Sequence, residues 1–369
     1  MPSGGVRAKR SAETSLTRRA PRRFRLTLCA LAAVASTVMI APSPLGASSP
    51  LTYVALGDSF ASGEGLAPFV ASVPSTCDRS ALSYPYLTAS ALGVDASGAF
   101  IDVACAGARL SDLDASVGAA APQLDAVTDS SAVVTLQSGG NDVFFGELAA
   151  GCLNTARGGS SASMGQAGCD YWVLAAERLL GVTTGDRALW SATLYARYRS
   201  VLESRLLTVI AAIRARQGAN GGAADAKRLL AVLDYPVLLA RLTTSSLACV
   251  VGPGFSYAAK DALTLRAINL LLDEEIQRAS ALYATRHHDA GIIMVDVSRS
   301  LRPLSCGAGP GASDIRAIDP SHPGYSLHPL ASGQAKMANA VAAALGARGV
   351  GLTAPSSTTS SSIPSAGGA

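Results

Sequence analysis

The chain has 369 residues, of which 30 are Lys or Arg and 26 are Asp or Glu. Residues 1–47 hold eight of the basic residues and one acidic residue, which leaves 22 basic and 25 acidic residues in the rest of the chain. This distribution excludes the basic folded surface that binds nucleic acid, and a content of 49% hydrophobic and 15% charged residues excludes a largely disordered chain.

The N-terminal segment has the pattern of an export signal. Five Arg residues between positions 18 and 25 precede an uncharged apolar run from Leu26 to Ala41. This run is shorter than the roughly 20 residues that span a bilayer, so we expect cleavage rather than anchoring. Residues 1–47 are therefore predicted to be a signal peptide, cleaved near Ala47 from a secreted protein. The pair Arg22–Arg23 leaves open the twin-arginine or the general secretory route.

Beyond this segment, short aliphatic runs alternate with longer segments of helical periodicity. That pattern is typical of a parallel sheet flanked by helices, and it predicts an α/β fold. We expect a single three-layer α/β/α sandwich with a mostly parallel five-stranded sheet. The predicted strands are Tyr53–Leu56, Phe100–Ala104, Ala132–Leu136, Leu229–Leu233 and Ile292–Val295, and the clearest predicted helices are 191–217, 258–288 and 331–346.

The domain organisation is simple. Residues 48–351 are predicted to form one domain, and residues 352–369, rich in Ser, Thr, Pro and Gly, a disordered tail. Residues 151–186, rich in Gly, read equally well as an insertion on the substrate side or as a surface loop. Because no second hydrophobic span is present, we expect no stable membrane anchor. We also expect the protein to be a monomer.

The most informative motif is Gly57-Asp58-Ser59-Phe60-Ala61, which begins where the first predicted strand ends. The carboxyl end of a parallel strand is where α/β proteins hold reactive groups, so Ser59 is predicted to be a catalytic nucleophile. A phosphate-binding loop is disfavoured, because neither G-x-G-x-x-G nor G-K-[ST] is present. The nucleophile elbow G-x-S-x-G is not met either, because Ala61 occupies its last position.

A serine nucleophile requires a base within hydrogen-bond reach. The chain has four His. His287 and His288 lie at the C-terminal end of a predicted helix, where cationic side chains interact favourably with the helix dipole. We therefore expect them to be solvated residues of the last turn. His322 and His328 lie in the loop before the last helix, and the base is predicted to be one of these two.

Six cysteines remain once Cys29 is removed with the signal peptide. An even number in an exported chain predicts disulfides, and no Cys/His spacing suited to zinc is present. The sequence alone allows 15 pairings. Pairing sequence neighbours closes loops of moderate length, which favours Cys77–Cys105, Cys152–Cys169 and Cys249–Cys306.

Four motifs in order resemble the four blocks of the SGNH (GDSL) hydrolases, closest to the secreted, disulfide-bonded lipases and esterases of actinomycetes. The resemblance extends over residues 51–346 and implies the SGNH hydrolase fold. It also implies three disulfides between sequence neighbours. The motifs are Gly57-Asp58-Ser59, Cys105-Ala106-Gly107, Gly139-Gly140-Asn141-Asp142 and His328-Pro329-Leu330-Ala331-Ser332-Gly333.

The resemblance implies that Ser59 is the nucleophile. The oxyanion hole would consist of the backbone N–H groups of Ser59 and Gly107 and the side-chain amide of Asn141. A side chain at position 107 would be expected to crowd the substrate. Asn141 could instead be an N-cap for a helix over 142–149.

The base is less simply assigned by the resemblance. The Asp-x-x-His pattern of the family is met by Asp319 and His322, whereas His328 matches the histidine that leads into the last helix. Because that helix anchors the histidine in space, His328 is the preferred base. Three residues before it stands Tyr325 rather than an acid, so the imidazole would be oriented by the main-chain carbonyl of Ser326. Asp319 remains an alternative as a longer-range acid.

These roles imply a secreted serine esterase or lipase that hydrolyses carboxylic esters through an acyl-enzyme, without metal or organic cofactor. The expected substrates are acylglycerols, phospholipids or acylated polymers. The alternatives are a polysaccharide deacetylase or phospholipase with the same site, and a non-catalytic binding protein on the same scaffold. Asp58 and Glu64 could also form a glycosidase pair of carboxylates, but the resemblance makes Asp58 structural. Acyl length would be set by loops such as 66–80, 151–190 and 235–257.

Overall fold

A computed structural model describes most of the predicted domain. The predicted signal peptide, the tail beyond residue 352 and most of the predicted insertion at 151–186 lie outside the described residues. The described ranges are 51–71, 74–95, 97–155, 192–219, 226–242, 248–306 and 313–352.

The described residues contain a central sheet of five strands, all parallel, with the order β2-β1-β3-β5-β8. Its strands coincide with the five predicted ones within two residues at each end. The mostly parallel sheet expected from the sequence is thereby confirmed. Its strands are β1 (Thr52–Gly57), β2 (Phe100–Asp102), β3 (Ser131–Gln137), β5 (Leu229–Leu233) and β8 (Ile292–Val295).

Helices flank this sheet. Nearly every residue of β1, β3 and β5 is buried, which requires cover on both faces of the sheet. The helices are α1 (Ser59–Ser62), α2 (Tyr84–Leu92), α3 (Phe145–Gly151), α4 (Ala192–Arg216), α5 (Ala259–His287) and α6 (Ala331–Gly346). Among them, α4 packs against α5, and α2 packs against α6. No helix within the described ranges combines the length and apolar character needed to cross a membrane.

A second, smaller sheet was not predicted from the sequence. It is antiparallel, with the order β4-β7-β6, where β4 is Leu153–Thr155, β6 is Ala248–Gly252 and β7 is Phe255–Ala258. Its strands have three to five residues each, too few for a periodic pattern to stand out. This sheet contributes to one wall of the cavity at the candidate site.

Two of the three predicted disulfides are present in the structure, namely Cys77–Cys105 and Cys249–Cys306. Cys152 is also disulfide-bonded. Its predicted partner, Cys169, lies outside the described residues. The first bridge joins the loop after α1 to the turn that bears Gly107, so it ties together two of the predicted site segments.

The candidate site lies where three central strands end. Ser59 follows β1, Asn141 follows β3 and Tyr235 follows β5. Because β1, β3 and β5 are adjacent and parallel, their carboxyl ends meet at one edge of the sheet. The topology therefore brings together residues that are up to 176 positions apart in the chain.

Candidate active site

Ser59 is held by a tight turn at the end of β1. Asp58 caps α1, its Oδ1 accepting a hydrogen bond from the N–H of Phe60 at 3.0 Å. Gly57 has a φ of +153°, and a Cβ there would lie 2.3 Å from the carbonyl oxygen of Gln137. Position 57 thus requires glycine for the close approach of two strands. Ser59 follows as the first residue of α1, 8% exposed.

His328 lies beside this serine. Its Nε2 is 2.7 Å from Ser59 Oγ, and its Nδ1 is 3.1 Å from the carbonyl oxygen of Ser326. A carbonyl can only accept, so Nδ1 carries the proton and Nε2 is left as the acceptor for the serine hydroxyl. Burial lowers the pKa of His328 to about 4. The imidazole is therefore neutral, and able to accept a proton, at neutral pH.

Backbone hydrogen bonds hold the histidine loop together, and the Arg316 side chain ties it to the segment that bears Ser59. The N–H of Arg316 donates to the His328 carbonyl at 2.8 Å, and the N–H of Leu327 donates to the Arg316 carbonyl at 3.1 Å. The Arg316 side chain donates from Nη2 to the carbonyl of Gly65 at 2.7 Å. Leu327 has a φ of +64°, a left-handed conformation that is uncommon for a leucine. This turn lets the Ser326 carbonyl reach back to the ring of His328.

Asp314 holds the histidine loop through several hydrogen bonds to its carboxylate. Its buried carboxylate accepts hydrogen bonds from the N–H of Arg302 at 2.7 Å and from Lys336 Nζ at 2.5 Å. Ser332 Oγ donates to it at 2.9 Å. Burial acts to raise the pKa of Asp314, but these hydrogen bonds outweigh it and hold the pKa well below its ordinary value. The carboxylate is thus a charged anchor between the histidine loop and α6.

The three predicted oxyanion donors, at Ser59, Gly107 and Asn141, line the same cavity as His328. Within the described part of the chain, the N–H groups of Ser59 and Gly107 have no hydrogen-bond acceptor. A Cβ at Gly107 would meet no atom within 4 Å, so its φ of +77°, rather than crowding by the protein, favours glycine there. The Asn141 side chain donates from Nδ2 to the carbonyl of Ala108 at 3.0 Å, which orients the amide. Asn141 does not cap α3, whose N-cap is Phe144.

The alternative base and acid lie outside this arrangement. The side chain of His322 is 61% exposed, its Nδ1 is 3.6 Å from Asp319 Oδ2, and its ring stacks on Tyr325. The Asp319 carboxylate also accepts hydrogen bonds from the N–H groups of Ser321 and His322. Asp319 is therefore engaged with His322, although its own N–H donates to Ser326 Oγ at 2.9 Å.

Tyr235 is a site residue that the sequence analysis missed. Its hydroxyl donates to Asp58 Oδ2 and accepts a hydrogen bond from the N–H of Gly140 at 3.1 Å. Its ring packs edge-on against Phe60. Burial raises the pKa of Asp58 to about 7, with the Tyr235 hydrogen bond opposing the shift. Tyr235 thus joins the block of Ser59 to the block of Asn141. The only sequence signal was its position two residues after a predicted strand.

Glu64 was interpreted in the sequence only as one of two possible glycosidase carboxylates. In the structure its Oε2 lies 3.7 Å from His328 Nε2, and its side chain is 15% exposed. Burial, followed by the charges of Asp78 and Asp58, raises the pKa of Glu64 to about 7. A carboxyl group therefore stands beside the nitrogen that faces the predicted nucleophile.

A cavity of about 690 Å³ opens on these groups. Ser59, Gly107, Asn141 and His328 lie in its wall. In the part of the chain that the structure describes, no group of three or more His, Cys, Asp or Glu residues could hold a metal ion. Much of the remaining wall is apolar and includes Phe145, Leu153, Leu238, Phe255, Leu272 and Ile318.

Sequence comparison shows that this chain is similar to lipases. The model of the GDSL-like lipase/acylhydrolase family matches residues 55–336. Lipase 2 of Streptomyces coelicolor is 30% identical over 299 residues, which cover 80% of this chain and 86% of that protein. A lipase of Streptomyces rimosus is 35% identical over 131 residues, covering 33% of this chain and 45% of that protein.

Solved structures have the same fold. The crystal structure of the extracellular lipase from S. rimosus is 26% identical, with a TM-score of 0.52 over 80% of this chain and 99% of that one. The crystal structure of phospholipase A1 from Streptomyces albidoflavus is 24% identical, with a TM-score of 0.54 over 81% of this chain and 100% of that one. At this identity the second likeness concerns the fold alone.

Proposed function

The chain belongs to the GDSL-like lipase/acylhydrolase family and is a carboxylic ester hydrolase, and from this premise we propose that Ser59 and His328 carry out its reaction through an acyl-enzyme. The observation that carries this proposal is the 2.7 Å contact between Ser59 Oγ and His328 Nε2. This contact lies in the wall of an apolar cavity large enough for an ester substrate.

The first step is attack on the ester carbonyl. Ser59 Oγ bonds to the carbonyl carbon while its proton moves to Nε2 of His328. Because burial lowers the pKa of His328 to about 4, the imidazole is neutral at neutral pH and its Nε2 has a free lone pair for this proton. The Nδ1–H donates to the Ser326 carbonyl and keeps the ring in the tautomer that the reaction needs.

The negative charge that develops on the carbonyl oxygen requires donors that are already in place. The N–H groups of Ser59 and Gly107 and the second N–H of the Asn141 amide are proposed to supply them. The bond from Asn141 to the Ala108 carbonyl supports this role, since it fixes the amide plane before substrate arrives. Donors that need no reorganisation stabilise the transition state more than the ground state.

The second half of the reaction releases both products. His328 gives its proton to the departing alcohol, and the acyl group remains on Ser59. Water then attacks the acyl-enzyme, with His328 again accepting a proton and returning it to Ser59 Oγ. These steps need no metal or organic cofactor.

We propose that the acyl group is a fatty acyl chain rather than acetyl. The apolar side chains that line the cavity offer a surface for methylene groups, each worth about 0.8 kcal/mol when buried. A polysaccharide deacetylase would need more polar groups for sugar hydroxyls than this mostly apolar wall offers. Phospholipids remain candidate substrates beside acylglycerols, since both carry fatty acyl esters that this apolar wall would accept.

We also propose that the protein is secreted after loss of residues 1–47. The two described disulfides support an oxidising compartment. A structural relative is an extracellular lipase. Mass spectrometry of protein secreted by an expressing cell would test this, and an N-terminus near Ser48 is the expected result.

The proposed chemistry is tested with residues 48–351 expressed under oxidising conditions. A series of p-nitrophenyl esters from acetyl to palmitoyl should give rising kcat/KM as the chain lengthens until the cavity is filled. A fluorophosphonate should label the wild type on one serine and fail to label Ser59→Ala. Retained labelling of Ser59→Ala would assign the nucleophile elsewhere, and a preference for acetyl esters would contradict the fatty acyl assignment.

A further inference from the structure

Glu64 stands beside the two reacting side chains in the cavity wall. Its Oε2 lies 3.7 Å from His328 Nε2, the ring nitrogen that faces Ser59 Oγ. Its side chain is 15% exposed, so water screens this pair only in part. Gly324 leaves room for the carboxyl, because a Cβ there would lie 2.9 Å from Glu64 Oε1. The carboxyl group therefore has a defined place next to the base.

On the other side of the imidazole, the described residues place no charged partner. Nδ1 contacts the neutral carbonyl of Ser326, and the carboxylate of Asp319 faces His322. When Nε2 accepts the proton of Ser59, the ring becomes a buried cation, and a buried cation is unfavourable unless an anion lies close to it. The Arg316 guanidinium adds to this cost, because its charge lowers the pKa of His328.

We propose that ionised Glu64 is the electrostatic partner of His328. It supplies from the Nε2 side the negative charge that a Ser-His-Asp triad supplies from an acid at Nδ1. The inference rests on the acyl-enzyme reaction proposed above. The proton that leaves Ser59 Oγ bonds to Nε2 and then passes to the departing alcohol. Glu64 keeps its charge and exchanges no proton, so the step is balanced without it.

The pH dependence follows from the groups around Glu64. The charges of Asp58 and Asp78 act on it, His328 lies 3.7 Å away, and the Arg316 guanidinium bonds to the carbonyl of the next residue, Gly65. Burial and the two carboxyls raise the pKa of Glu64 to about 7. The carboxylate therefore forms as the pH rises through about 7. Since His328 has a pKa near 4, kcat/KM of the wild type should rise in one step near pH 4 and again near pH 7.

Two substitutions separate charge from shape. Glu64→Gln keeps the shape and removes the charge, whereas Glu64→Asp keeps the charge on a shorter side chain. An anion within about 4 to 6 Å typically shifts a pKa by about 1 to 3 units, each worth a factor of ten, so Glu64→Gln should lower kcat about 10- to 1000-fold. It should also lose the step near pH 7 and keep the one near pH 4. Glu64→Asp should retain more activity than Glu64→Gln, together with the upper step.

The opposite order of the two variants would overturn the inference, because a purely steric role favours the isosteric Gln. An unchanged step near pH 7 in Glu64→Gln would assign that step to Asp58, whose pKa is also raised to about 7, and would overturn the role of Glu64 as well. If Glu64→Gln does not fold, as judged by thermal unfolding, the pH profile of Glu64→Asp decides. Fluorophosphonate labelling separates the two proposals. Labelling lost in Ser59→Ala, together with full activity in Glu64→Gln, would reject the role of Glu64 and leave the acyl-enzyme reaction standing.

Discussion

The two segments that bring Ser59 and His328 together are held in different ways. The nucleophile segment, residues 57–65, continues from the central sheet, and both backbone polar groups of Gly57 bond to the buried side chain of Gln123 at 2.8 and 2.9 Å. The histidine segment, residues 314–330, belongs to neither sheet. It is held by an isolated bridge between Ile315 and Pro329, the bonds of Arg316 and the charged anchor at Asp314.

The difference shows which substitutions should act on the chemistry. The sheet edge places Ser59 through the backbone geometry of β1, which the buried side chain of Gln123 supports at Gly57. His328 depends on polar side chains of its own region, such as Asp314 and Arg316, which lie 14 and 12 positions before it, and each of them can be removed singly. Substitution of a residue that holds the histidine segment should therefore lower both the free energy of unfolding and kcat. Substitution of a residue that holds the nucleophile segment should mainly lower kcat.

The largest effect is expected where the two segments meet. Ser59→Ala and His328→Ala should each lower kcat/KM by at least about 10⁴-fold, and the double variant should be no worse than either single one, because the two residues act as a unit. Steady-state kinetics with a p-nitrophenyl ester measures this, with circular dichroism to verify folding. Additive losses in the double variant would contradict joint action.

Breaking the link between the nucleophile segment and the Gly139-Gly140-Asn141-Asp142 motif should have the next largest effect. Tyr235→Phe removes the hydroxyl that joins Asp58 to the N–H of Gly140. A small misplacement of catalytic groups costs up to about 100-fold, so kcat should fall about 10- to 30-fold with KM nearly unchanged.

The matched control for this variant is Tyr53→Phe. It also removes a buried tyrosine hydroxyl, here bonded to Thr135 Oγ1 at 3.0 Å on neighbouring strands of the sheet. Both variants should lose about 1 to 2 kcal/mol of unfolding free energy, measured by urea denaturation. Only Tyr235→Phe should lower kcat. An equal loss of kcat in the two variants would show that Tyr235 has only a structural role in the core.

Breaking the anchor of the histidine segment should mainly lower stability. Asp314→Asn leaves the N–H of Arg302 and the Nζ of Lys336 without an anion. Because Asp314 is buried while its partners are partly exposed, the free energy of unfolding should fall by about 2 to 4 kcal/mol. The kcat should fall several-fold as His328 loses its fixed position.

An exposed ion pair provides the control for this experiment. Asp125→Asn removes a surface contact with Arg216 and should cost no more than about 1 kcal/mol. Urea denaturation and kcat at pH 8 are measured for both variants. A loss in Asp314→Asn no larger than that in Asp125→Asn would show that the histidine segment does not depend on this anchor.

The smallest effect on kcat is expected for Asp319 and His322, the alternative acid and base. Asp319→Asn and His322→Ala change a partly exposed contact at 3.6 Å. Each should change kcat by less than about 2-fold, as is usual for exposed charge pairs. A pH profile of Asp319→Asn identical to that of the wild type would support orientation of His328 by the Ser326 carbonyl. A large loss of kcat would instead restore Asp319 as an acid acting on His328.

The elements of the central sheet could be predicted from the sequence because their signals are local. The strand Leu229–Leu233 is an unbroken apolar run, and the observed strand has the same bounds. The helix predicted at 331–346 is also found with the same bounds. The small antiparallel sheet could not be predicted, since strands as short as Leu153–Thr155 form through pairing with distant residues.

Tyr235 and Glu64 could not be assigned for a related reason. A tyrosine after a strand and a glutamate between two glycines carry no distinctive pattern. What distinguishes them is proximity, of Tyr235 to Asp58 and of Glu64 to His328. These pairs are separated by more than 170 positions in the chain.

The sequence by itself determined the α/β class, the order of the four blocks and the choice of Ser59 as the candidate nucleophile, because periodicity and short motifs are local properties of the chain. Only the tertiary structure decided which histidine faces the serine, which group orients it, and which carboxyl stands beside it. Those questions depend on distances of a few ångströms between segments that meet only when the parallel strands align their carboxyl ends.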